Sequence, residues 1–126
     1  MLEAAPSTKE RARETGSRGS GGDWTLEIDR SAERLVLNEL EALADEGYRF
    51  AAVSEERGEI DFGASEVKVI IDPIDGSLNA KRRIPHYALS IAVAGGETMA
   101  DVQFAYVYDF GPSEEWWAMQ SGGAWL

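Results

Sequence analysis

The sequence predicts an α+β fold in which one long helix packs on a mostly antiparallel sheet. A single amphipathic helical pattern comes first, and a succession of short apolar segments with Gly-rich breaks follows it. Helix and strand patterns that are segregated in this way favour layered α+β packing over alternating βαβ units. The 126 residues, of which 44% are hydrophobic, suffice for one domain with a buried core.

Residues 1–23 are predicted to form a disordered polar tail, and residues 24–126 the domain. Ser, Thr, Gly, Arg and Glu dominate the first segment, which Gly19-Ser20-Gly21-Gly22 closes. Such a composition buries too little apolar surface to offset the entropy of ordering. We find no basic region followed by an apolar core, which is the pattern of a signal peptide. No apolar run approaches the roughly 20 residues of a membrane span. We therefore expect a cytoplasmic protein.

The helix is predicted over Arg30–Glu46. Its apolar residues recur at helical spacing: Ala32, Leu35, Val36, Leu40 and Leu43. Asp29 is a suitable N-cap, and Gly47 is expected to end the helix. Charged residues, Glu33 among them, are expected on the opposite, solvated face.

Short apolar or β-branched segments predict the strands of the sheet. They are Phe50–Ser54, Val67–Ile71, Tyr87–Ala94, Ala100–Tyr108 and Glu115–Gln120. Gly95-Gly96 suggests a hairpin between the third and fourth. Residues 59–65 are expected to be turn-rich, and residues 72–79 to form a loop that opens into a short helical turn.

Charge and cysteine content exclude several classes of function. The formal net charge of −11 argues against a nucleic-acid partner, because phosphate backbones are held by clustered Lys and Arg. The absence of cysteine removes disulfides, thiolate metal sites and a cysteine nucleophile.

Acidic residues follow two of the predicted strands. Glu55 comes directly after Phe50–Ser54, while Asp72 and Asp75 come after Val67–Ile71. If these strands are neighbours, the three carboxylates converge at one edge of the sheet and repel each other unless a cation neutralises them. Hard oxygen ligands select Mg²⁺, Ca²⁺ or Mn²⁺ over zinc or copper.

The residues around the second acidic pair suggest an anion site beside this metal site. Pro73 stiffens the turn, and Gly76 allows backbone to approach a ligand closely. If Ser77 begins a helical turn, the amides of Gly76, Ser77 and Leu78 can bind an anion. Metals beside an anion site are what phosphate-ester hydrolysis needs. The Ser77 hydroxyl could orient the attacking water, and Glu55 could accept its proton.

The segment Asp72-Pro73-Ile74-Asp75-Gly76-Ser77 resembles the D-P-[IL]-D-G-[ST] signature of the inositol monophosphatase superfamily. This group of phosphatases includes fructose-1,6-bisphosphatases and bisphosphate nucleotidases, and many members are lithium-sensitive. Further segments resemble the family in the same order: Leu26–Asp29, Val53–Glu56, Pro85–Ile91, Val107–Tyr108 and Ser121–Ala124. The resemblance runs from about Asp23 to Leu126.

The resemblance implies Mg²⁺-dependent hydrolysis of a small phosphorylated metabolite by a metal-activated water. It assigns the first metal to Glu55, Asp72 and the carbonyl of Ile74. Asp72 and Asp75 would share the second metal. Because members of the family are longer and supply a further metal-binding aspartate from their second half, the chain resembles an amino-terminal half, or fragment, of such a phosphatase.

The resemblance also implies catalytic and phosphate-binding roles. Glu55 and Ser77 would activate the nucleophilic water, with Asp29 in support. The amides of Gly76 and Ser77 would hold the phosphate. A homodimer is a further expectation, since dimers are common in the family.

Other functions stay open beside this one. A haloacid-dehalogenase-like site is disfavoured, because its nucleophile position would fall on Pro73. An EF-hand is disfavoured by the spacing of Asp72 and Asp75, which are three apart rather than two. A catalytically incomplete relative that binds a cation or a partner is the remaining alternative, and its interface would use the aromatic residues near Leu126.

Overall fold

The structure, a computed structural model, describes residues 14–18, 24–63 and 66–126. Two strands, β1 (Glu14–Arg18) and β2 (Trp24–Leu26), precede the long helix α1 (Glu27–Asp45). The elements that follow are β3 (Phe50–Ser54), β4 (Gly58–Phe62), β5 (Lys68–Asp75), α2 (Ser77–Lys81), β6 (Ala88–Ala94), a 3₁₀ turn (Met99–Asp101), β7 (Val102–Asp109), β8 (Glu114–Met119) and β9 (Gly123–Trp125).

Strands β3 to β9 form one seven-stranded sheet in the order β4-β3-β5-β6-β7-β8-β9. Neighbouring strands are antiparallel except β3 and β5, which run parallel. The predicted α+β class is therefore confirmed. Because β3 and β5 point the same way, their carboxyl ends lie at one edge of the sheet.

The helix differs from its prediction in where it begins and in which face it buries. It starts at Glu27 rather than Arg30, so Asp29 lies inside its first turn and is not an N-cap. Glu33 is only 3% exposed, so its expected place on the solvated face is wrong. The physical reason is that the turn after β3 supplies polar partners for this carboxylate, which helical periodicity alone does not reveal.

Three strand predictions need correction. Residues 59–65 were expected to be turn-rich, but Gly58–Phe62 is the strand β4, paired with β3. Strand β5 continues to Asp75 because this residue still pairs with Ala88 across a bulge. The short strand β9 was not predicted at all. Each of these segments contains Gly, Asp or Pro, which are uncommon in strands, so the sequence pattern did not indicate a strand. Edge strands and bulges nevertheless tolerate these residues.

The tail prediction does not hold for Glu14–Arg18, which pairs with β2 as an antiparallel strand. Pairing through backbone groups requires no apolar side chains, so composition gave no sign of it. Residues 1–13 and 19–23 lie outside the described residues, and the boundary of the domain at residue 24 stays a prediction.

Helix α1 covers one face of the sheet at β3 and β5. The buried cluster there consists of Leu37, Leu40, Phe50, Ala52 and Ile71. The ring of Phe50 also packs on that of Phe62, with 5.0 Å between centroids. A second buried cluster joins the start of α1 to the end of β5 and to α2 through Ala32, Ile74 and Ala80. This cluster fixes the edge of the sheet at which the acidic residues lie.

In the described ranges, no helix has both the length and the hydropathy that a membrane span requires.

Neighbouring isoleucines of β5 test which face the helix covers. Ile71 is 3% exposed and Ile70 is 39% exposed. We predict that Ile71→Val lowers the free energy of unfolding by about 1 kcal/mol, because a buried methyl group is lost. The control Ile70→Val should change it by less than about 0.5 kcal/mol. Urea unfolding followed by circular dichroism measures both, and equal losses would contradict the described packing.

Candidate active site

Glu55 and Asp72 meet at the carboxyl edge of the parallel pair. The register places Ser54 beside Ile71, so the residues that follow them lie side by side where the parallel pairing ends. Glu55 lies in the turn between β3 and β4, and its carboxyl group is close enough to that of Asp72 for the two to interact. The structure thus brings together two of the three carboxylates that the sequence singles out.

The crowding of negative charge changes the acidity of this pair. Burial, followed by the charge of Asp72, raises the pKa of Glu55 from 4.5 to about 7. Burial, followed by the charge of Asp75, raises the pKa of Asp72, while the amide of Ile74 opposes that shift. Both carboxyl groups hold their protons more tightly than usual, which is the state that a divalent cation would relieve.

Asp75 stands apart from this pair. It is exposed at the end of β5, close enough for its charge to act on Asp72. Ile74, between them, is buried, and its amide donates to Oδ1 of Asp72 at 3.2 Å. Across the residues that the structure describes, no three acidic or histidine side chains are already gathered at metal-binding distances. A metal would have to draw Asp75 toward the pair.

Gly76 makes the turn into α2, and a side chain at this position would be strained. Its φ of 92° and ψ of 36° are left-handed. A Cβ there would lie 3.0 Å from the carbonyl oxygen of His86 and 3.2 Å from Cβ of Tyr87. The same carbonyl of His86 accepts a hydrogen bond from Nδ2 of Asn79 at 2.8 Å. Ser77 is the first residue of α2, so the predicted helical turn is present.

Asp29 reaches the site from the first turn of α1. It is 7% exposed, and its charge contributes to the raised pKa of Glu55. Asp29, Glu55 and Asp72 therefore belong to one electrostatic cluster.

Residues 1–126 match the family model described as the inositol monophosphatase family. The chain belongs to this family. It is 37% identical over 114 residues to the fructose-1,6-bisphosphatase/inositol-1-monophosphatase of Archaeoglobus fulgidus, covering 90% of this chain and 42% of the relative. It is 33% identical over 105 residues to the inositol-1-monophosphatase of Mesorhizobium japonicum, covering 83% of this chain and 37% of the relative.

The fold agrees with this family. The solved structure of the MJ0109 gene product, an inositol monophosphatase-fructose 1,6 bisphosphatase, superposes with a TM-score of 0.80 at 29% identity. That match covers 99% of this chain and 46% of the other. The chain spans less than half the length of each of these proteins. The resemblance found in the sequence is thereby confirmed at the level of family and fold.

One polar network of this family member escaped the sequence-based prediction. The hydroxyl of Ser54 donates to the buried carboxylate of Glu33, whose Oε2 lies 3.2 Å from Nε of Arg57. The amides of Glu56 and Arg57 point at the Ser54 hydroxyl, at 3.3 and 3.4 Å. The available signal was the spacing of Asp29 and Glu33, because residues four apart share one helix face.

An open cleft of about 590 Å³ lies beside the acidic pair, and apolar residues of four strands form most of its wall. Its polar lining consists of Ser54, Glu55, Asp72, Ser90 and Tyr106. Its apolar lining includes Val53, Ile70, Ala92, Ala105 and Val107. The acidic pair therefore borders a space large enough for a small molecule.

The metal-free chain should lose stability as the pH rises through about 7. The folded state raises the pKa of Glu55 from 4.5 to about 7, so its contribution is complete below pH 4.5 and is lost above the folded pKa. Glu55→Gln should flatten this part of the profile, measured as the urea midpoint in the presence of EDTA. Glu41→Gln, an exposed acid of α1, should preserve the wild-type slope. An unchanged slope in Glu55→Gln would contradict the assignment.

Proposed function

We propose that this protein takes part in Mg²⁺-dependent hydrolysis of a small-molecule phosphate monoester. The observation that carries the proposal is the meeting of Glu55 and Asp72 at the carboxyl edge of β3 and β5, next to the signature turn. Membership of the inositol monophosphatase family supports it. So does the Archaeoglobus relative, whose name specifies sugar bisphosphate and inositol monophosphate as substrates.

The donor set suits Mg²⁺, because it consists of oxygen atoms only. In the proposal, Glu55, Asp72 and the Ile74 carbonyl hold the first metal, and Asp72 and Asp75 share the second. The raised pKa values of Glu55 and Asp72 support this assignment. Burial and neighbouring negative charge disfavour the ionised forms of these carboxyl groups, and a bound cation would stabilise them. Bound Mg²⁺ would supply positive charge to the phosphoryl oxygens and lower the pKa of water.

The protein's own residues would manage the proton and the phosphate. Glu55, beside the proposed metals, would accept the proton of the attacking water. The Ser77 hydroxyl would orient that water, and the charge of Asp29 would support the basicity of Glu55. The amides of Gly76 and Ser77 would donate to the phosphate. Water attacks phosphorus directly, the ester P–O bond breaks, and no covalent enzyme intermediate forms.

The cleft and the charge support a small-molecule substrate. A space of about 590 Å³ beside the acids accommodates a phosphorylated metabolite. A net charge of −11 opposes binding of nucleic acid. Lithium sensitivity, a homodimer and a cytoplasmic location complete the proposal on the strength of the family resemblance.

A second candidate is a catalytically incomplete relative that binds a cation or a partner. The exposed aromatic residues at the β8–β9 end of the sheet favour it. The rings of Trp117 and Trp125 stack there with 4.3 Å between centroids, and neighbouring Trp116 is 47% exposed. Large exposed aromatic groups are typical of interaction surfaces.

Removal of one metal ligand tests the first candidate. The purified chain is expected to release inorganic phosphate from inositol 1-phosphate or fructose 1,6-bisphosphate with Mg²⁺, and EDTA should abolish the release. Asp72→Asn should lower kcat/KM at least about 100-fold, because this carboxylate is assigned to both metals. Asp75→Asn should act in the same direction.

Asp45→Asn, an exposed aspartate of α1, is the matched control and should keep the wild-type rate. Full activity in Asp72→Asn, or hydrolysis that survives EDTA, would refute the metal-dependent mechanism. A wild-type chain that binds Mg²⁺ and hydrolyses neither ester would favour the second candidate.

A further inference from the structure

Glu33 is a buried carboxylate whose two partners flank Glu55 in the sequence. We propose that Glu33 is a positioning residue, which holds the turn after β3 so that Glu55 faces Asp72. Its effect on catalysis rests on the proposed function, but its effect on the turn does not. The proposal adds a residue of α1 that itself touches neither metal nor substrate.

The contacts of Glu33 run to both sides of Glu55. Ser54, directly before Glu55, donates its hydroxyl hydrogen to the Glu33 carboxylate. Arg57, just after Glu55 in the same turn, approaches it with Nε at 3.2 Å from Oε2. The side chain of Glu33 is 4% exposed, whereas that of Arg57 is 57% exposed. The helix therefore holds the turn by two points, one on each side of the proposed base.

The hydroxyl of Ser54 passes this constraint on to the backbone of the turn. A hydroxyl has one hydrogen to donate and two lone pairs that accept. Since Ser54 gives its hydrogen to Glu33, its lone pairs face the amides of Glu56 and Arg57, at 3.3 and 3.4 Å. Fixing these amides fixes the direction in which the Glu55 side chain leaves the turn.

Stability alone does not explain a carboxylate at this position. Buried ion pairs are often replaced by apolar side chains of similar volume without loss of stability. One turn farther along α1, the buried face is filled by Leu37, which is 5% exposed. One turn earlier it carries Asp29, whose charge acts on Glu55. On this helix face, carboxylates lie near the acidic edge of the sheet and leucine lies farther from it.

The variant Glu33→Gln tests the proposal, since it keeps the size and an acceptor for Ser54 but removes the charge that Arg57 meets. In the metal-free chain, hydrogen exchange at the amides of residues 56 and 57 should accelerate roughly 10-fold. The dissociation constant for Mg²⁺, measured by calorimetry, should rise roughly 10-fold, as for other groups that orient metal ligands. In a Glu55→Gln background the same substitution should cause no further rise.

Glu41→Gln, on the exposed side of the same helix, is the matched control and should alter neither measurement. Unchanged exchange at residues 56 and 57 in Glu33→Gln would overturn the proposal. If that variant does not fold, Arg57→Gln breaks the same link from its exposed end. It should then accelerate exchange at residue 56, and a failure to do so would likewise overturn the proposal.

The two proposals fail in different ways. Accelerated exchange in a chain that neither binds Mg²⁺ nor hydrolyses an ester supports the positioning role and refutes the phosphatase proposal. A chain whose Mg²⁺-dependent hydrolysis and turn exchange are both unaffected by Glu33→Gln supports the phosphatase proposal and refutes the positioning role.

Discussion

The candidate site depends on the parallel pairing of β3 with β5. Every other neighbouring pair in the seven-stranded sheet is antiparallel, so the carboxyl ends of those neighbours lie at opposite edges. The register of Ser54 with Ile71 sets Glu55 beside Asp72. Because side chains alternate along a strand, a shift of β5 by one residue would turn Asp72 toward α1 and Ile71 away from the core. The hydrophobic packing of Ile71 therefore also specifies the acidic pair.

The meeting of these acids is electrostatically unfavourable, and hydrophobic packing beside them opposes their mutual repulsion. The charges of Asp72 and Asp29 act on Glu55 in a chain whose net charge is −11. The buried cluster of Ala32, Ile74 and Ala80 ties α1 and β5, which carry Asp29 and Asp72, to α2. A cation that bound the folded state alone would add to its stability by mass action. Electrostatic repulsion at the site and the proposed affinity for a cation would thus have one origin.

Local patterns predicted the features that depend on neighbours in sequence. Phe50–Ser54 was predicted with its observed limits, and it lies beside β5, which was the condition for the expected meeting of Glu55 with Asp72. Glu33 was misplaced because its partners, Ser54 and Arg57, come from a different element. A carboxylate in a helical pattern signals solvent unless such partners are known. Whether a polar group is buried depends on the tertiary structure, and the periodicity of the sequence gives no information about it.

The position of the acidic pair between a covered and an open face of the sheet would meet two requirements of the general base proposed at Glu55. A raised pKa needs burial and nearby negative charge, whereas proton transfer needs access for water and substrate. Glu55 is exposed at the residue level, yet its carboxyl group is crowded by Asp72 and has a pKa of about 7. The Glu33 network holds the turn from the helix side, and the cleft opens from the other. A base anchored on one side can remain accessible on the other.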